Sequence, residues 1–328
     1  MREDLRRPGS IAGMSERPLT LMTVHAHPDD ETIGTGGTMA KAVAGGHRVV
    51  LVTCTRGELG DIVVPELDTA DNHRRLGEIR AGELELAMRE LGVTEWENLG
   101  YRDSGMIGEP GNRDPRCFWQ ANLDEAVGRL VWLVRRERPH VMTTYNEFGG
   151  YGHPDHIRTH EAAVAAFERA GDRGWYPEQL APEHDGSGPA EAEGGLAPWS
   201  PLKLYEQAIP ASVRTVMAER LEAAGVQTFM SPPVDASPEQ LAAHEEWVAR
   251  MLVPDETITT WVDVGDVLER KWAAIQRHVT QVGAESPFML MGLEGWRDFW
   301  PSEAYILRSS RIEKTLPETD LFAGIDAG

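Results

Sequence analysis

Residues 19–25 (LTLMTVH) and 47–55 (HRVVLVTCT) are near-continuously apolar and rich in strand formers. A strand reads that way when both of its faces are buried. Between them, residues 32–44 have helical composition, closed by Gly45-Gly46. The alternation recurs. Helices are predicted over 71–91 and over 123–138, the second stopped at Pro139. A strand follows over 140–145 (HVMTTY), then a helix over 154–171 with proline in its first turn. This order predicts an α/β fold: a Rossmann-like, doubly wound, mainly parallel sheet. Right-handed crossovers bring the strands' carboxyl ends to one edge, where open α/β sheets bind ligands.

Two short motifs fall on that edge. His25-Ala26-His27-Pro28-Asp29-Asp30-Glu31 follows the first strand, and His153-Pro154-Asp155-His156 precedes the helix after the 140–145 strand. His27 and Asp30 are three residues apart across a strand-to-helix turn, so both reach one ion, while Asp29 projects differently and stays free as a base. His153 and His156 repeat the spacing, with Asp155 between them. A single His-Pro-Asp turn is ordinarily just a turn and helix cap. Two such turns on one sheet edge instead supply three or four His/Asp ligands with spare carboxylates. A mixed His/Asp set without cysteine suits a catalytic ion with one position left for water. His25 points the other way by strand alternation and reads as a core or supporting histidine. His73, His140, His160, His244 and His278 lack such neighbours and read as surface or capping residues. Gly34-Thr35-Gly36-Gly37 lacks the Lys-Ser/Thr ending of a phosphate loop, so its glycines are expected to let helix pack closely on sheet.

Further on, residues 175–199 and 231–238 read as loops, 202–209 and 257–264 as strands, and 267–278 as a helix. The expected organisation is a loose tail over 1–18, a catalytic α/β domain over 19–200, and a C-terminal extension over 201–328 that packs on the same domain and covers the rim of the site. The formal charge of -21, from 53 acidic and 32 basic side chains, repels phosphate backbones and anionic lipid. Neither nucleic acid nor membrane is therefore an expected partner. The N-terminus has no apolar core of a signal peptide. Two cysteines make no disulfide framework, and both features point to the cytoplasm. Nothing in the sequence bars a homo-oligomer.

At its two motifs the chain resembles the PIG-L/LmbE-like superfamily of zinc-dependent N-deacetylases. The likeness extends to Thr53-Cys54-Thr55-Arg56-Gly57-Glu58, Tyr101-Arg102-Asp103-Ser104-Gly105-Met106, the stretch from Arg138 to His153, and the tail Pro317-Glu318-Thr319-Asp320-Leu321-Phe322-Ala323-Gly324-Ile325. These segments look like the mycothiol branch, which holds an N-acetylglucosaminyl-inositol deacetylase and a mycothiol S-conjugate amidase. The tail and the run from His153 to Arg158 look more like the amidase; Tyr101 to Met106 and Tyr151-Gly152-His153 look more like the deacetylase. Where the amidase carries a lysine, this chain has Gly34. The resemblance implies a zinc amidohydrolase for an N-acyl-glucosaminide, the amidase first and the deacetylase or an antibiotic-pathway relative as the alternative. It implies His27, Asp30 and His156 as ligands of Zn2+, with Fe2+ accepted in its place. It further implies Asp29 as general base and then acid, His153 as a protonated oxyanion stabiliser oriented by Asp155, and Tyr151 as a second contact to the intermediate. Arg80, Asp103 and Asp61 match positions that hold sugar and inositol hydroxyls.

Overall fold

The computed structural model describes residues 17–180, 195–221, 225, 226, 228 and 230–326. Most of the expected tail, and the middle of the 175–199 loop, lie outside the described residues. The strands are β1 (Thr20–His25), β2 (Arg48–Thr53), β3 (Glu95–Asn98), β4 (Val141–Thr144), β5 (Lys203–Pro210), β6 (Leu252–Val253), β7 (Thr260–Asp263) and β8 (Ser302–Ser310). The helices are α1 (Asp30–Gly34), α2 (Gly36–Ala44), α3 (Ala70–Arg74), α4 (Leu76–Leu91), α5 (Leu123–Glu137), α6 (Gly149–Gly152), α7 (Pro154–Arg169), α8 (Ser212–Arg220), α9 (Pro238–Met251), α10 (Leu268–Ile275) and α11 (Pro287–Phe299).

One sheet runs β3-β2-β1-β4-β5-β8-β7, with β6 joined to β5. Strands β3, β2, β1, β4 and β5 are parallel; β8 runs antiparallel to both β5 and β7. The apolar strands are buried on both faces, as their composition requires. Leu21, Val49 and Leu51 pack with Met39, Met88 and Ile275 on one side. Met22, Val24, Val50 and Val52 pack with Leu130, Val134 and Ala163 on the other. Each such side chain contributes roughly 1.5–3 kcal/mol when fully buried.

Connections leave β1 toward β2 in one direction, while β4 and β5 fill the other side. The strand order therefore reverses between β1 and β4, which opens a crevice at their carboxyl ends. Both motifs sit in that crevice.

Several elements differ from the sequence expectation. The helix expected over 32–44 begins at Asp30 and breaks at Thr35 (φ −137°, ψ 6°), whose hydroxyl donates to the Glu31 carbonyl. The helix expected over 71–91 breaks at Arg75. Its first part has no apolar residue to bury, so only α4, from Leu76 onward, packs on the core. The strand expected over 257–264 is present as β7, whereas β3 (EWEN) and β8, which pairs antiparallel with β5 and β7, carry no clean apolar alternation and are additions to the sequence expectation. The glycines behave as packing residues: a Cβ on Gly37 would lie 2.6 Å from Val264.

Candidate active site

The turn after β1 and the start of α7 bring three nitrogen and oxygen donors together. His27 Nδ1 and Asp30 Oδ2 are 3.3 Å apart, His156 Nε2 and Asp30 Oδ2 are 3.3 Å apart, and His156 Nε2 and His27 Nδ1 are 3.3 Å apart. Tetrahedral bonds of about 2.1 Å would set ligand atoms about 3.4 Å from one another, so this triangle fits one divalent ion. The two histidines are anchored on their far sides, and Asp30 on the oxygen that faces them. His156 Nδ1 donates to the Gly149 carbonyl at 3.1 Å, leaving Nε2 bare for a metal. His27 Nε2 donates to Asp155 Oδ2 at 3.2 Å, which turns Nδ1 toward the other two side chains. Asp30 Oδ2 accepts the His27 backbone N–H at 2.9 Å and the Tyr145 hydroxyl at 2.8 Å. Tyr145, in turn, accepts the Ala26 N–H and stacks on the His156 ring at 4.2 Å. Outer partners of this kind fix the tautomer and orientation of metal ligands.

Asp29 lies beside the triangle, on the wall of the same cavity of about 350 Å³. Its backbone sits at φ 102°, ψ −34°. A non-glycine residue held there stores about 1–3 kcal/mol of strain, which surrounding contacts must offset. Burial raises its carboxyl pKa to about 6, against the opposing pull of Arg80. A carboxylate poised there is suited to exchange a proton near neutral pH.

The structure assigns several expected residues different contacts. Arg80 was expected at a sugar hydroxyl, but it is only 4% exposed and both terminal nitrogens of its guanidinium are already engaged. Nη1 donates to the Gly57 carbonyl at 2.8 Å; Nη2 donates to the Pro28 carbonyl at 2.6 Å and to Asp29 Oδ2 at 3.2 Å. Asp103 is buried as well. It accepts the Leu59 and Gly105 N–H groups and lies 3.6 Å from His27 Nε2. Burial alone would raise its pKa; His27 and those backbone donors outweigh burial and hold it below the usual carboxylate range. Asp61 is exposed.

Asp155 was expected to orient His153, and its carboxylate does otherwise. It takes His27 Nε2, the Ser104 N–H at 2.9 Å and the Ser104 hydroxyl. Its link to His153 runs through its own backbone N–H, which donates to His153 Nδ1 at 3.1 Å and caps α7. Burial and the neighbouring His27 and His156 lower the His153 pKa to about 2. These influences disfavour the imidazolium expected, and with Nδ1 accepting from the Asp155 N–H a neutral ring carries its proton on Nε2. Tyr151 lines the cavity, with its hydroxyl 3.4 Å from His156 Nε2.

Tyr145 and Ser104 had no role assigned from the sequence, although both lie inside segments singled out there. His278 was expected as a surface or capping residue. The structure buries His278 completely, 3.2 Å from Glu31 Oε1. His160 is buried too, its Nδ1 donating to the Tyr145 carbonyl at 2.8 Å. Ile33, Gly34, Asn146 and Gly150 also line the cavity, and residues beyond 200 add Gln207, Ile209, Trp247, Met251, Phe288, Trp300 and Glu303.

The fold and donor set are those of an α/β protein with a buried His/Asp cluster that could hold a metal ion, and comparison with known proteins gives its family. Residues 22–167 match the PIG-L family, described as GlcNAc-PI de-N-acetylase. The 1D-myo-inositol 2-acetamido-2-deoxy-alpha-D-glucopyranoside deacetylase of Geodermatophilus obscurus is 41% identical over 312 residues, covering 93% of this chain and 97% of that protein. The protein of the same name from Thermomonospora curvata is 42% identical over 325 residues, covering 95% and 99%. The solved N,N'-diacetylchitobiose deacetylase of Pyrococcus horikoshii superposes with a TM-score of 0.55 at 20% identity, covering 88% of this chain and 83% of that one; it shows a shared fold. The chain belongs to the PIG-L family and to its mycothiol branch, a family of hydrolases acting on N-acetyl amides. Among the described residues, no helix is long and apolar enough to cross a membrane.

Proposed function

We propose that this chain hydrolyses the N-acetyl amide of an N-acetylglucosaminyl-inositol, releasing acetate and the free amine. The observation that carries the reading is the 3.3 Å triangle of His27, Asp30 and His156 with the Asp29 carboxylate on the wall of the same cavity. The names of the relatives favour the deacetylase over the S-conjugate amidase as first reading.

His27, Asp30 and His156 would hold the ion. Zn2+ is the ion that this mixed N/O set favours, with Fe2+ accepted by the same donors. When bound, it supplies Lewis acidity, which lowers the pKa of water toward about 7 and polarises a carbonyl. Asp29 takes the proton from the attacking water and returns it to the amine nitrogen as the C–N bond breaks. The Nε2–H of neutral His153 and the Tyr151 hydroxyl donate to the oxygen that gains charge. One such donor is worth about 3 kcal/mol when well aimed. Arg80 and Asp103 act from behind: Arg80 holds Asp29, and Asp103 faces His27. Asp61 remains the exposed carboxylate available to a sugar or inositol hydroxyl. Buried, unpaired Cys54 and Cys117 support work in the reducing cytoplasm.

The amidase is kept as the second reading because of the apolar walls around Ile209, Trp247, Met251, Phe288 and Trp300. A bulky apolar acyl substituent fits such walls better than hydroxyl-rich inositol does. The test is a side-by-side assay of metal-loaded protein on N-acetylglucosaminyl-inositol and on a mycothiol S-conjugate, with Asp29→Asn as control. Faster amine release from the first substrate, lost in Asp29→Asn at unchanged metal content, is expected. Faster cleavage of the conjugate would establish the amidase, and no release from either would overturn both readings.

A further inference from the structure

The peptide unit joining Pro28 to Asp29 is held at both ends by charged side chains. Its carbonyl accepts from Arg80 Nη2 at 2.6 Å, and its N–H, that of Asp29, donates to Glu31 Oε2 at 3.0 Å. The φ angle of Asp29 is rotation relative to this peptide plane, and it stands at 102°. Whatever fixes the plane therefore helps to hold the strained backbone that aims the Asp29 carboxylate. Arg80 does this from α4. Glu31 can do so only while its carboxylate keeps one orientation, and it is fully buried behind two other acids, Asp29 and Asp30. Its other oxygen, Oε1, accepts from His278 Nε2 at 3.2 Å, and both side chains are 0% exposed.

We propose that His278 is a positioning residue for Asp29, acting through Glu31; the inference rests on the reading of Asp29 as the base. His278 follows α10 and is itself held firmly. Its carbonyl accepts the N–H groups of Gln281 and Val282 at 3.0 and 2.8 Å. Two residues on, Thr280 gives its N–H and its hydroxyl to Glu83 at 2.7 and 2.8 Å. Glu83 lies one turn from Arg80 on α4. The α10 end and α4 are thus tied to each other, and each grips one side of the same peptide unit. Stability alone does not account for this histidine. Its Nδ1 is buried without a hydrogen-bond partner, a cost that an apolar side chain would avoid. The polar contact that the ring does make is the one to Glu31.

The test compares His278→Leu with His278→Gln, whose amide N–H can replace the donor to Glu31. In the metal-loaded enzyme, the Leu variant should keep its metal and a nearly unchanged KM, yet lose about 10²-fold in kcat, the scale of a small misplacement of a reacting group. The Gln variant should recover most of that loss. In metal-free protein, hydrogen exchange at the Asp29 amide, followed by NMR, should accelerate about tenfold in the Leu variant and much less in the Gln variant, as expected where one buried hydrogen bond has lost its support. Unchanged kcat, a loss confined to KM or metal content, an unaltered Asp29 amide, or a Gln variant no better than Leu would each overturn the proposal. The exchange measurement uses no substrate. Failure of the wild type to release amine would sink the functional reading while the role of His278 was still decided.

Discussion

Arg80 Nη2 stands 3.2 Å from Asp29 Oδ2, while the same nitrogen takes the carbonyl of the preceding proline at 2.6 Å. The guanidinium therefore holds both the charge and the backbone of the residue read as the base. Burial raises the Asp29 pKa to about 6, and Arg80 is the largest influence pulling it back down. A base works as its carboxylate, present above its pKa. The rate should therefore rise with pH through about 6 and then level off. Arg80→Met removes the opposing charge, so the pKa rises and the acid limb moves to higher pH. The expected defect in kcat/KM is larger at pH 6 than at pH 8, with metal content unchanged. A pH profile of the metal-loaded variant checks this; an unmoved acid limb would mean that Arg80 does not act on Asp29.

Much of this arrangement was legible in the sequence for a simple reason. The strands over 19–25 and 47–55 are buried on both faces, so their composition announces them without any alternation. The strand–motif–helix order then puts both motifs at the switch point between β1 and β4. What stayed hidden depends on partners far away in sequence. Strand β3 carries two glutamates because Arg48 and Arg136 reach them at a sheet edge. His278 looked like a surface histidine because its partner, Glu31, is 247 residues earlier. Arg80 has the right chemistry for a sugar hydroxyl, and only the fold turns it inward on Pro28 and Gly57.

Asp155 supports His27, one of the three proposed ligands. Its Oδ2 accepts His27 Nε2–H and the Ser104 N–H, so every contact at that oxygen is from a donor. In Asp155→Asn, the carboxamide must either turn its NH2 toward one of these donors or lose a bond. The His27 ring then loses its fixed tautomer. Metal affinity should fall about 10- to 100-fold, the usual cost of removing such a partner. Competition against a chelator measures it, and activity at saturating metal should be largely restored. Wild-type affinity in the variant would show that Asp155 has no such role.

His27 also sets a pH dependence for metal uptake. Burial would lower its pKa, but Asp103, Asp155 and Asp30 outweigh burial and raise it well above the ordinary value. Without metal, those carboxylates therefore favour the doubly protonated ring. A ligand nitrogen must be bare, so binding the ion expels that proton. Affinity should fall about tenfold for each pH unit of acidification below the His27 pKa. Calorimetry in two buffers of different ionisation heat should report about one proton released per ion at pH 7. Asp103→Asn, which removes the carboxylate 3.6 Å from Nε2, should reduce that release. A buffer-independent heat would refute the protonated state.

A buried ion pair fastens the C-terminal tail to the sheet on which the site is built. Lys203 Nζ donates to Glu318 Oε1 at 2.6 Å, to the Ala323 carbonyl at 2.6 Å and to the Tyr205 hydroxyl at 3.1 Å. The two side chains are 0% and 3% exposed. Lys203 lies on β5, beside Val141 of β4, whose far end leads to the Tyr145 that holds Asp30. Lys203→Met leaves Glu318 as an unpaired buried charge, a change that costs about 3–5 kcal/mol. Lys203→Met combined with Glu318→Leu removes both charges and should recover most of that loss, because the desolvation cost disappears along with the attraction. Urea melts of the wild type and the two variants measure the difference. A single variant within about 1 kcal/mol of wild type would place the pair among those that water screens, contrary to the burial seen here.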